Sequence, residues 1–295
     1  MSTSRNAPRV VSPQGPANRP LSPRSVIASL LLGMHPPRIR GALLVRWCQH
    51  LGIPEGTTRV ALTRMVEAGE LTRETGSGAL PEPASARYEL AGPLRARQAG
   101  QDWALAPVLR AWGGEWRLWI VAPGRRDAGA RADLRRAAHG ARLVELRDGV
   151  WARPHNLPPE ATPAGAASVL AEQAQAWIAT PTSDERPDVG RLFDLPATEA
   201  RSLHLLDTLE QLTTGLDAGE LSLLGPAFAS GAAALQQIRR DPLLPPELSG
   251  AGWPGNALRS AYARYQAAFA AAVTEWFNGQ NERETPPLPD RPGRL

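Results

Sequence analysis

Between residues 53 and 71 the apolar and polar positions recur with the period of an α-helix. The apolar positions follow the spacing i, i+3, i+4 and i+7 and comprise Thr58, Ala61, Leu62 and Met65. The opposite side carries Thr57, Val60, Arg64 and Glu67. Pro54 can open such a helix, because the first helical amide has no partner to lose, and Gly69 can close it. We therefore predict a helix with one packing face and one face that is free for contact.

The segments around this helix predict two more helices and a hairpin. A first helix begins after the N-cap Ser22 and ends at Gly33. A second helix is expected over residues 39–50, and alternation up to residues 87–90 indicates the two strands of a hairpin. Three helices followed by a hairpin are the order of a winged helix-turn-helix, which we assign to residues 21–92. Double-stranded DNA is therefore the first partner to consider.

The next part of the chain, residues 93–187, follows the element order of a ferredoxin-like domain. A helical connector at residues 93–109 precedes an apolar strand at residues 116–121. The elements after it are a helix at 130–138, strands at 142–146 and 149–153, a helix at 163–175 with Thr162 as N-cap, and a strand at 176–180. This order of strand, helix, two strands, helix and strand is ferredoxin-like.

The remainder of the chain is helical. Residues 188–278 form a third domain, with helices expected at 197–216, 220–238 and 256–277. Residues 1–20 and 279–295 are polar and rich in proline, so we expect two disordered tails. The predicted fold class is α+β, with an N-terminal winged helix-turn-helix, a ferredoxin-like middle domain and a helical C-terminal domain.

The charge of the chain is unevenly distributed, which favours a nucleic-acid partner. The net charge is +4, and all 33 basic residues are arginines. Residues 1–100 carry 13 arginines against 6 acidic residues, whereas residues 161–295 carry 10 against 16. Guanidinium groups form bidentate bonds with phosphate and guanine, although genomic base composition can produce the same bias toward arginine. The position of the basic excess, around the predicted helix-turn-helix, is the stronger indication of DNA binding.

Cysteine usage and hydropathy indicate the compartment. The single cysteine, Cys48, lies in an apolar helical stretch and is interpreted as a small buried hydrophobe. No run approaches the roughly 20 apolar residues that cross a bilayer, and residues 1–20 lack the apolar core of a secretory signal. We therefore expect a cytoplasmic protein with no membrane partner.

Three separated segments resemble one known family. They are Thr58–Met65 with Gly69 and Leu71, Gly149–Pro154, and Asp241–Leu248 followed by Gly252–Gly255. In this order they are similar to the PaaX-type transcriptional repressors of aromatic-acid catabolism, typified by the phenylacetate regulator. The resemblance implies the same three-domain architecture, a homodimer, and release of operator DNA when an aryl acyl-CoA thioester binds. The chain differs from the family pattern at Glu70, where an aromatic residue is common, and in a wing that is poor in aromatic residues.

The outward face of the predicted recognition helix supplies the candidate DNA contacts. Base contacts are predicted for Thr57, Val60, Thr63 and Arg64, with Arg64 and Thr57 ranked first. Arg59 lies nearer the flank, where a phosphate contact or an ion pair within the protein is expected. Arg73 and Arg87 bracket the wing and suit phosphate or minor-groove contacts. The alternative is that these residues merely form a solvated surface.

A second group of arginines is the candidate site for the phosphates of a CoA-type effector. The candidate residues are Arg117, Arg125, Arg126, Arg131, Arg135 and Arg136, with Trp151 as a wall of an aromatic pocket. A solvated helix is the commoner explanation for such a run of arginines. Tryptophans on strands also belong more often to a core than to a pocket.

An enzyme is the rival class of protein. The predicted ferredoxin-like domain resembles that of CRISPR-associated nucleases, which hold a metal through an aspartate at the end of the first strand, but here that strand ends with Val121 and Ala122. His155 and Glu160 could serve acid-base chemistry, yet they lie in a proline-rich loop. The five histidines lack zinc-site spacing, and no GxSxG, P-loop or dinucleotide-binding glycine motif occurs. We therefore predict no catalytic residue, no metal site and no cofactor.

The sequence predicts a homodimeric transcriptional regulator that represses a catabolic operon. A small-molecule effector, for which the resemblance favours an aryl acyl-CoA, would shift the dimer to an arrangement that no longer matches the operator half-sites. Two other interpretations remain open: a metal-dependent nuclease, and a scaffold whose helical C-terminal half dimerises.

Overall fold

The computed structural model describes residues 22–74, 86–122, 124, 126–182 and 187–284, with side chains described up to residue 279. The described residues form two compact units, one ending at Leu94 and the other beginning at Arg95. The fold class is α+β, as predicted, with two small antiparallel sheets and a helical C-terminal region. The predicted tail at residues 1–20 lies outside the described residues, as do residues 285–295 of the other tail.

The first unit is a winged helix-turn-helix. Its elements are α1 (Pro23–Leu32), β1 (Arg38–Arg40), α2 (Gly41–His50), α3 (Glu55–Glu67), β2 (Leu71–Glu74) and β3 (Arg87–Leu90). The strands form an antiparallel sheet in the order β1-β3-β2, and α3 packs against both α1 and α2. The order of three helices and a hairpin matches the prediction from the sequence.

The ends of α1 lie where the capping residues predict them. The hydroxyl of Ser22 accepts a hydrogen bond from the amide of Ser25 at 3.2 Å, which satisfies one of the free amides of the first turn. Pro23 occupies the first helical position, and Gly33 is the C-cap. Side-chain capping thus fixes the start of the unit.

Strand β1 corrects the predicted start of the second helix. The helix begins at Gly41, whereas residue 39 was the expected start. Ile39 lies in β1, where it pairs with Tyr88 and is only 8% exposed. Arg38 and Arg40 on either side of it are exposed, as expected for a half-buried strand. Three residues are too few for this alternation to be recognised in sequence, so the pairing partner decides the conformation.

Helix α4 (Gly92–Leu105) leads into the second unit, which begins with a ferredoxin-like domain. The elements after α4 are β4 (Trp116–Val121), α5 (Ala128–Gly140), β5 (Val144–Arg147), β6 (Val150–Pro154), α6 (Ala164–Gln173) and β7 (Ala174–Ala179). The sheet has the order β5-β6-β4-β7, and all neighbouring strands are antiparallel. Thr162 is not the N-cap of α6, because Pro163 takes that position and Thr162 ends a preceding 3₁₀ turn.

Both faces of this sheet are covered. One face packs on α5 and α6 through a cluster that includes Trp151 and Leu170. On the other face Trp116 packs with Phe193 and Leu244 from the C-terminal part of the chain. Tryptophan therefore contributes to the core on both sides of the sheet, in agreement with the commoner role of strand aromatics.

Helices form the rest of the second unit. They are α7 (Val189–Leu192), α8 (Leu195–Asp217), α9 (Leu224–Arg240), α10 (Pro246–Ser249) and α11 (Gly255–Glu284). The three long helices α8, α9 and α11 pack against one another. Helix α11 continues to Glu284, so the last six described residues of the chain are helical inside the predicted tail.

A buried carboxylate organises the loop that follows α9. Oδ1 of Asp241 accepts hydrogen bonds from the amide of Leu243 at 3.0 Å and from Nε1 of Trp253 at 3.2 Å. Oδ2 lies 2.8 Å from Nη2 of Arg259, and both side chains of this ion pair are less than a tenth exposed. Asp241 and Trp253 belong to the two stretches of the third resembling segment, residues 241–248 and 252–255, so those stretches form one structural motif.

An arginine of the ferredoxin-like domain completes this motif. Nη2 of Arg153 donates to the carbonyls of Pro242 at 3.2 Å and Leu243 at 3.3 Å. The same nitrogen donates to Oδ1 of Asn156 at 2.9 Å, and Nδ2 of Asn156 donates to the Leu243 carbonyl at 2.8 Å. Burial, assisted by the nearby charge of Arg142, lowers the pKa of Arg153 to about 9, so the guanidinium stays charged at neutral pH. Oxygen atoms of the protein take the place of the water that would otherwise solvate the guanidinium of Arg153. These hydrogen bonds hold the loop against strand β6.

We expect Asp241→Asn to destabilise the chain by about 3–5 kcal/mol, because it leaves the buried Arg259 without its anion. The matched control is Asp133→Asn, which breaks an exposed pair with Arg136 and should cost less than about 1 kcal/mol. Urea unfolding of the full chain measures both free energies. Equal losses in the two variants would contradict the role given to Asp241.

The motif also requires a residue without a side chain at position 255. A Cβ at Gly255 would collide with Oδ2 of Asp241 and lie 2.9 Å from Nε1 of Trp253. We expect Gly255→Ala to cost about 1–3 kcal/mol as an overpacked site. Gly252→Ala is the control, since nothing lies within 4 Å of a Cβ there. Thermal unfolding compares the two, and identical midpoints would show that the collision is relieved at no cost.

Candidate nucleic-acid interface

Helix α3 presents the two faces that its sequence predicts. Thr58, Leu62 and Met65 are 0%, 3% and 1% exposed, and Ala61 is half-buried. The predicted outward residues Thr57, Val60, Thr63, Arg64 and Glu67 are all exposed. Val60 adds an apolar side chain to this face and is 50% exposed. The helix therefore offers a continuous polar, basic and partly apolar surface.

The buried face of α3 is held by packing and by local hydrogen bonds. The hydroxyl of Thr58 donates to the carbonyl of Pro54 at 3.2 Å, so this buried polar group is satisfied. Cys48 of α2 is fully buried nearby, and burial raises the pKa of its thiol. Its role as a small hydrophobe of the core is the one predicted. Gly69 ends the segment with a φ of +67°, a conformation that glycine adopts without strain.

Arg59 forms the ion pair that was one of its two predicted roles. Nη2 of Arg59 lies 2.6 Å from Oε1 of Glu55, one helical turn earlier, and Nε donates to the same oxygen at 2.7 Å. Both side chains remain more than two-fifths exposed, so the pair is solvated and weak. Arg59 can therefore exchange Glu55 for an external anion at little cost.

The two wing arginines lie on opposite faces of the sheet. Arg73 of β2 pairs with Tyr88, whereas Arg87 of β3 stands between Glu74 and Arg40. Because alternate residues of a strand point to opposite faces, Arg73 shares the face of the buried Tyr88 and Arg87 does not. Arg38 and Arg40 of β1 join the face of Arg87. Neither of these two arginines was among the predicted contacts, because the alternation that places them is confined to a three-residue strand.

A small hollow lies between α2, α3 and the wing. It encloses about 110 Å³ and is lined by residues that include Gly41, Arg59, Thr63, Arg73 and Tyr88. The side chain of Arg73 makes no hydrogen bond or ion pair with any residue that the structure describes. Two guanidinium groups therefore border one hollow beside the recognition helix.

The departure from the family pattern at Glu70 has a structural counterpart. Nε of Arg24, in α1, donates to Oε2 of Glu70 at 2.9 Å, and Nη2 of Arg24 contacts Oε1. The hydrogen bond with Glu70 raises the pKa of Arg24. An ion pair thus ties the start of α1 to the turn before the wing, at the position where the family commonly has an aromatic residue.

The predicted effector arginines make local contacts along α5. Nη1 of Arg126 donates to the Ala122 carbonyl at 3.1 Å, and Nη1 of Arg131 donates to the Arg126 carbonyl at 2.8 Å. Nη1 of Arg136 lies 2.7 Å from Asp133, while Arg135 is exposed. Arg125 lies outside the described residues. The described arginines do not converge on one point, as a solvated helix predicts.

Trp151 and Arg117 make contacts of a different kind. Trp151 is 4% exposed and packs within the cluster beneath α5 and α6, so it has little surface to offer a ligand. The guanidinium of Arg117 lies 5.5 Å from the ring of Trp119, a cation–π contact on the sheet. The predicted DNA contacts of α3 thus share one exposed helix face, whereas Trp151 among the effector candidates is buried.

Metal ions and membranes are the other partners to consider. Among the described residues no three His, Cys, Asp or Glu side chains lie together as a possible metal site. Within the same residues no helix is both long enough and apolar enough to span a membrane.

Comparison with known proteins identifies the family. The family described as PaaX-like protein matches residues 22–92, which is the winged helix-turn-helix. A solved structure, an uncharacterized protein Rv0674 from Mycobacterium tuberculosis, is 36% identical and is matched over 86% of this chain and 98% of that chain, with a TM-score of 0.59. No curated protein matches the chain. The chain belongs to the PaaX-like family.

Proposed function

We propose that the protein is a transcriptional repressor that binds operator DNA through α3 and the wing and releases it when a small molecule binds. The observation that carries this proposal is the outward face of α3, on which Thr57, Thr63 and Arg64 are all exposed among the described residues. Membership of the PaaX-like family supports a role in transcription regulation. In this function the chain acts in the cytoplasm and needs no catalytic residue, metal or cofactor.

Base recognition is assigned to the outward side chains of α3. Arg64 makes no ion pair with any described residue, so its guanidinium can bind the O6 and N7 atoms of a guanine without losing a partner. The exposed methyl groups of Val60 suit the methyl group of a thymine. Thr57, at the N-terminal end of the helix, and Thr63 can contact base edges or the neighbouring backbone.

The wing supplies contacts that position the helix. Arg73 and Arg87 lie on different faces of the sheet, which lets them reach different parts of the DNA backbone. Such contacts carry no sequence information, because phosphates are the same in every sequence. They fix the register of α3 in the major groove.

A homodimer would supply two winged helices for the operator and would cover an exposed edge strand. Among the described strands β7 pairs only with β4, and it exposes Trp177 by 51% and Ile178 by 58%. An edge strand with large exposed apolar side chains invites pairing with another chain. A second copy would cover this edge and supply the second winged helix for a half-site about 34–36 Å away.

The effector is proposed to be an aryl acyl-CoA, on the strength of the family resemblance. Arg117, Arg126 and Arg135 remain the candidates for its phosphates, since guanidinium groups are suited to bidentate phosphate binding. Release requires that the effector bind more tightly to an arrangement of the two winged helices that does not fit the operator. An effector with equal affinity for both arrangements would leave DNA binding unchanged.

We expect Arg64→Ala to weaken binding to the operator by about 1–3 kcal/mol and to reduce discrimination against random DNA. Arg73→Ala is the comparison, and it should weaken binding to both kinds of DNA to a similar extent. Fluorescence anisotropy with the upstream region of the chain's own gene and with a random duplex measures the two ratios. Equal losses on both duplexes for Arg64→Ala would argue against base reading by this residue.

We expect one aryl acyl-CoA to release the protein from its upstream DNA in a mobility-shift titration, because the effector shifts the dimer population. Free CoA is the control that separates recognition of the acyl group from recognition of the phosphates. Retardation that no thioester relieves would remove this effector class from the proposal. Cleavage of the DNA that depends on added metal would favour a nuclease instead.

A further inference from the structure

The hollow between α2, α3 and the wing has the composition of a phosphate site. Arg59 and Arg73 border it from the recognition helix and from β2. The side chain of Arg73 has no partner among the described residues, and that of Arg59 has only the solvated Glu55. Its volume, about 110 Å³, is far below the roughly 300–1,000 Å³ of pockets for drug-sized ligands. A small anionic group therefore fits it better than an organic effector.

A tyrosine also contributes to the wall of the hollow. Tyr88 is one of the lining residues, and it is only 5% exposed. A phenolic hydroxyl can donate a hydrogen bond to an anion that enters such a hollow.

The start of α2 adds to the positive character of this place. Gly41 and Ala42, the first two residues of the helix, also line the hollow. No side chain caps α2, since its N-cap residue Arg40 makes no capping hydrogen bond. The amide of Gly41 donates to the carbonyl of Ala86, so the helix dipole and the later amides of the first turn are what act on the same anion as the two guanidinium groups.

We propose that this hollow binds one phosphate of the DNA backbone, held jointly by Arg59, Arg73 and the hydroxyl of Tyr88. The inference rests on the proposed DNA-binding function and adds a specific subsite to it. A shared phosphate locks the recognition helix and the wing to the same point of the DNA strand. The wing then sets the depth of α3 in the groove without reading any base.

Glu55 becomes a competitor for this phosphate. In the free protein its carboxylate holds Arg59, at 2.6 Å from Nη2. On DNA the phosphate takes over the guanidinium, and Glu55 is left close to a second anion. The residue thus weakens binding to every duplex equally, which lowers non-specific binding and leaves discrimination by Arg64 unaffected.

The salt dependence of DNA binding tests how many phosphates Arg59 and Arg73 contact. The logarithm of the binding constant falls with the logarithm of salt concentration by about 0.9 for each phosphate that is neutralised. Arg59→Gln, Arg73→Gln and the double variant are measured by anisotropy on a short mixed-sequence duplex, with the number of bound subunits determined by titration. If both arginines share one phosphate, the double variant lowers the slope by about 0.9 per subunit.

Two other results of this experiment would overturn the proposal. A reduction of about 1.8 per subunit would mean that each arginine binds a separate phosphate, and an unchanged slope would mean that neither binds one. Arg240→Gln, an exposed arginine at the end of α9, is the control for the loss of one charge elsewhere. If the wild-type chain itself has no affinity for the duplex at low salt, the proposed function fails and not the subsite alone.

Tyr88→Phe and Glu55→Gln test the remaining parts of the site. Tyr88→Phe removes only a hydroxyl and should weaken binding about tenfold at an unchanged salt slope and thermal midpoint, as expected for a hydrogen bond to an anion. Glu55→Gln should strengthen DNA binding about twofold, which corresponds to the free energy of a solvated ion pair within a helix. This gain should vanish in the Arg59→Gln background. Unchanged affinity of Tyr88→Phe, or a gain from Glu55→Gln that persists without Arg59, would contradict the arrangement.

Discussion

The packing of one helical stripe determines which residues of this protein can meet DNA. Thr58, Leu62 and Met65 are almost completely buried in the first unit, where α3 packs against α1 and α2. Since successive residues of a helix are about 100° apart, fixing this stripe also fixes the outward direction of Arg64. The capping of α1 by Ser22 and the tie between Arg24 and Glu70 hold the surrounding elements. Recognition therefore depends on apolar packing that itself touches no DNA.

The second unit depends on a different interaction, the burial of one carboxylate among arginines. Asp241 orders the loop after α9 and pairs with Arg259, while Arg153 fastens the same loop to the ferredoxin-like sheet. Removing water from these charges is costly, and the carbonyl oxygens around Arg153 offset that cost. The ferredoxin-like domain and the C-terminal helices accordingly belong to one compact unit.

The sequence predicted those features that arise from local periodicity. The faces of α3, the capped start of α1 and the ferredoxin-like strand order were predicted because each repeats over many residues or uses a capping residue. Strand β1 was missed because three residues show no period, and its conformation depends on pairing with Tyr88. The hollow could not be predicted either, because Arg59 and Tyr88 are distant in sequence and meet only when the wing folds against α3.

Oxidative footprinting of side chains with and without duplex DNA tests the central claim most directly. At low salt the account predicts that DNA protects the exposed Val60 and its neighbours on the outward face of α3, while the buried Met65 reacts slowly in both states. Protection should increase with DNA concentration and disappear at high salt, because phosphate contacts are screened. Binding of DNA that leaves the outward face of α3 as reactive as in the free protein would contradict the account.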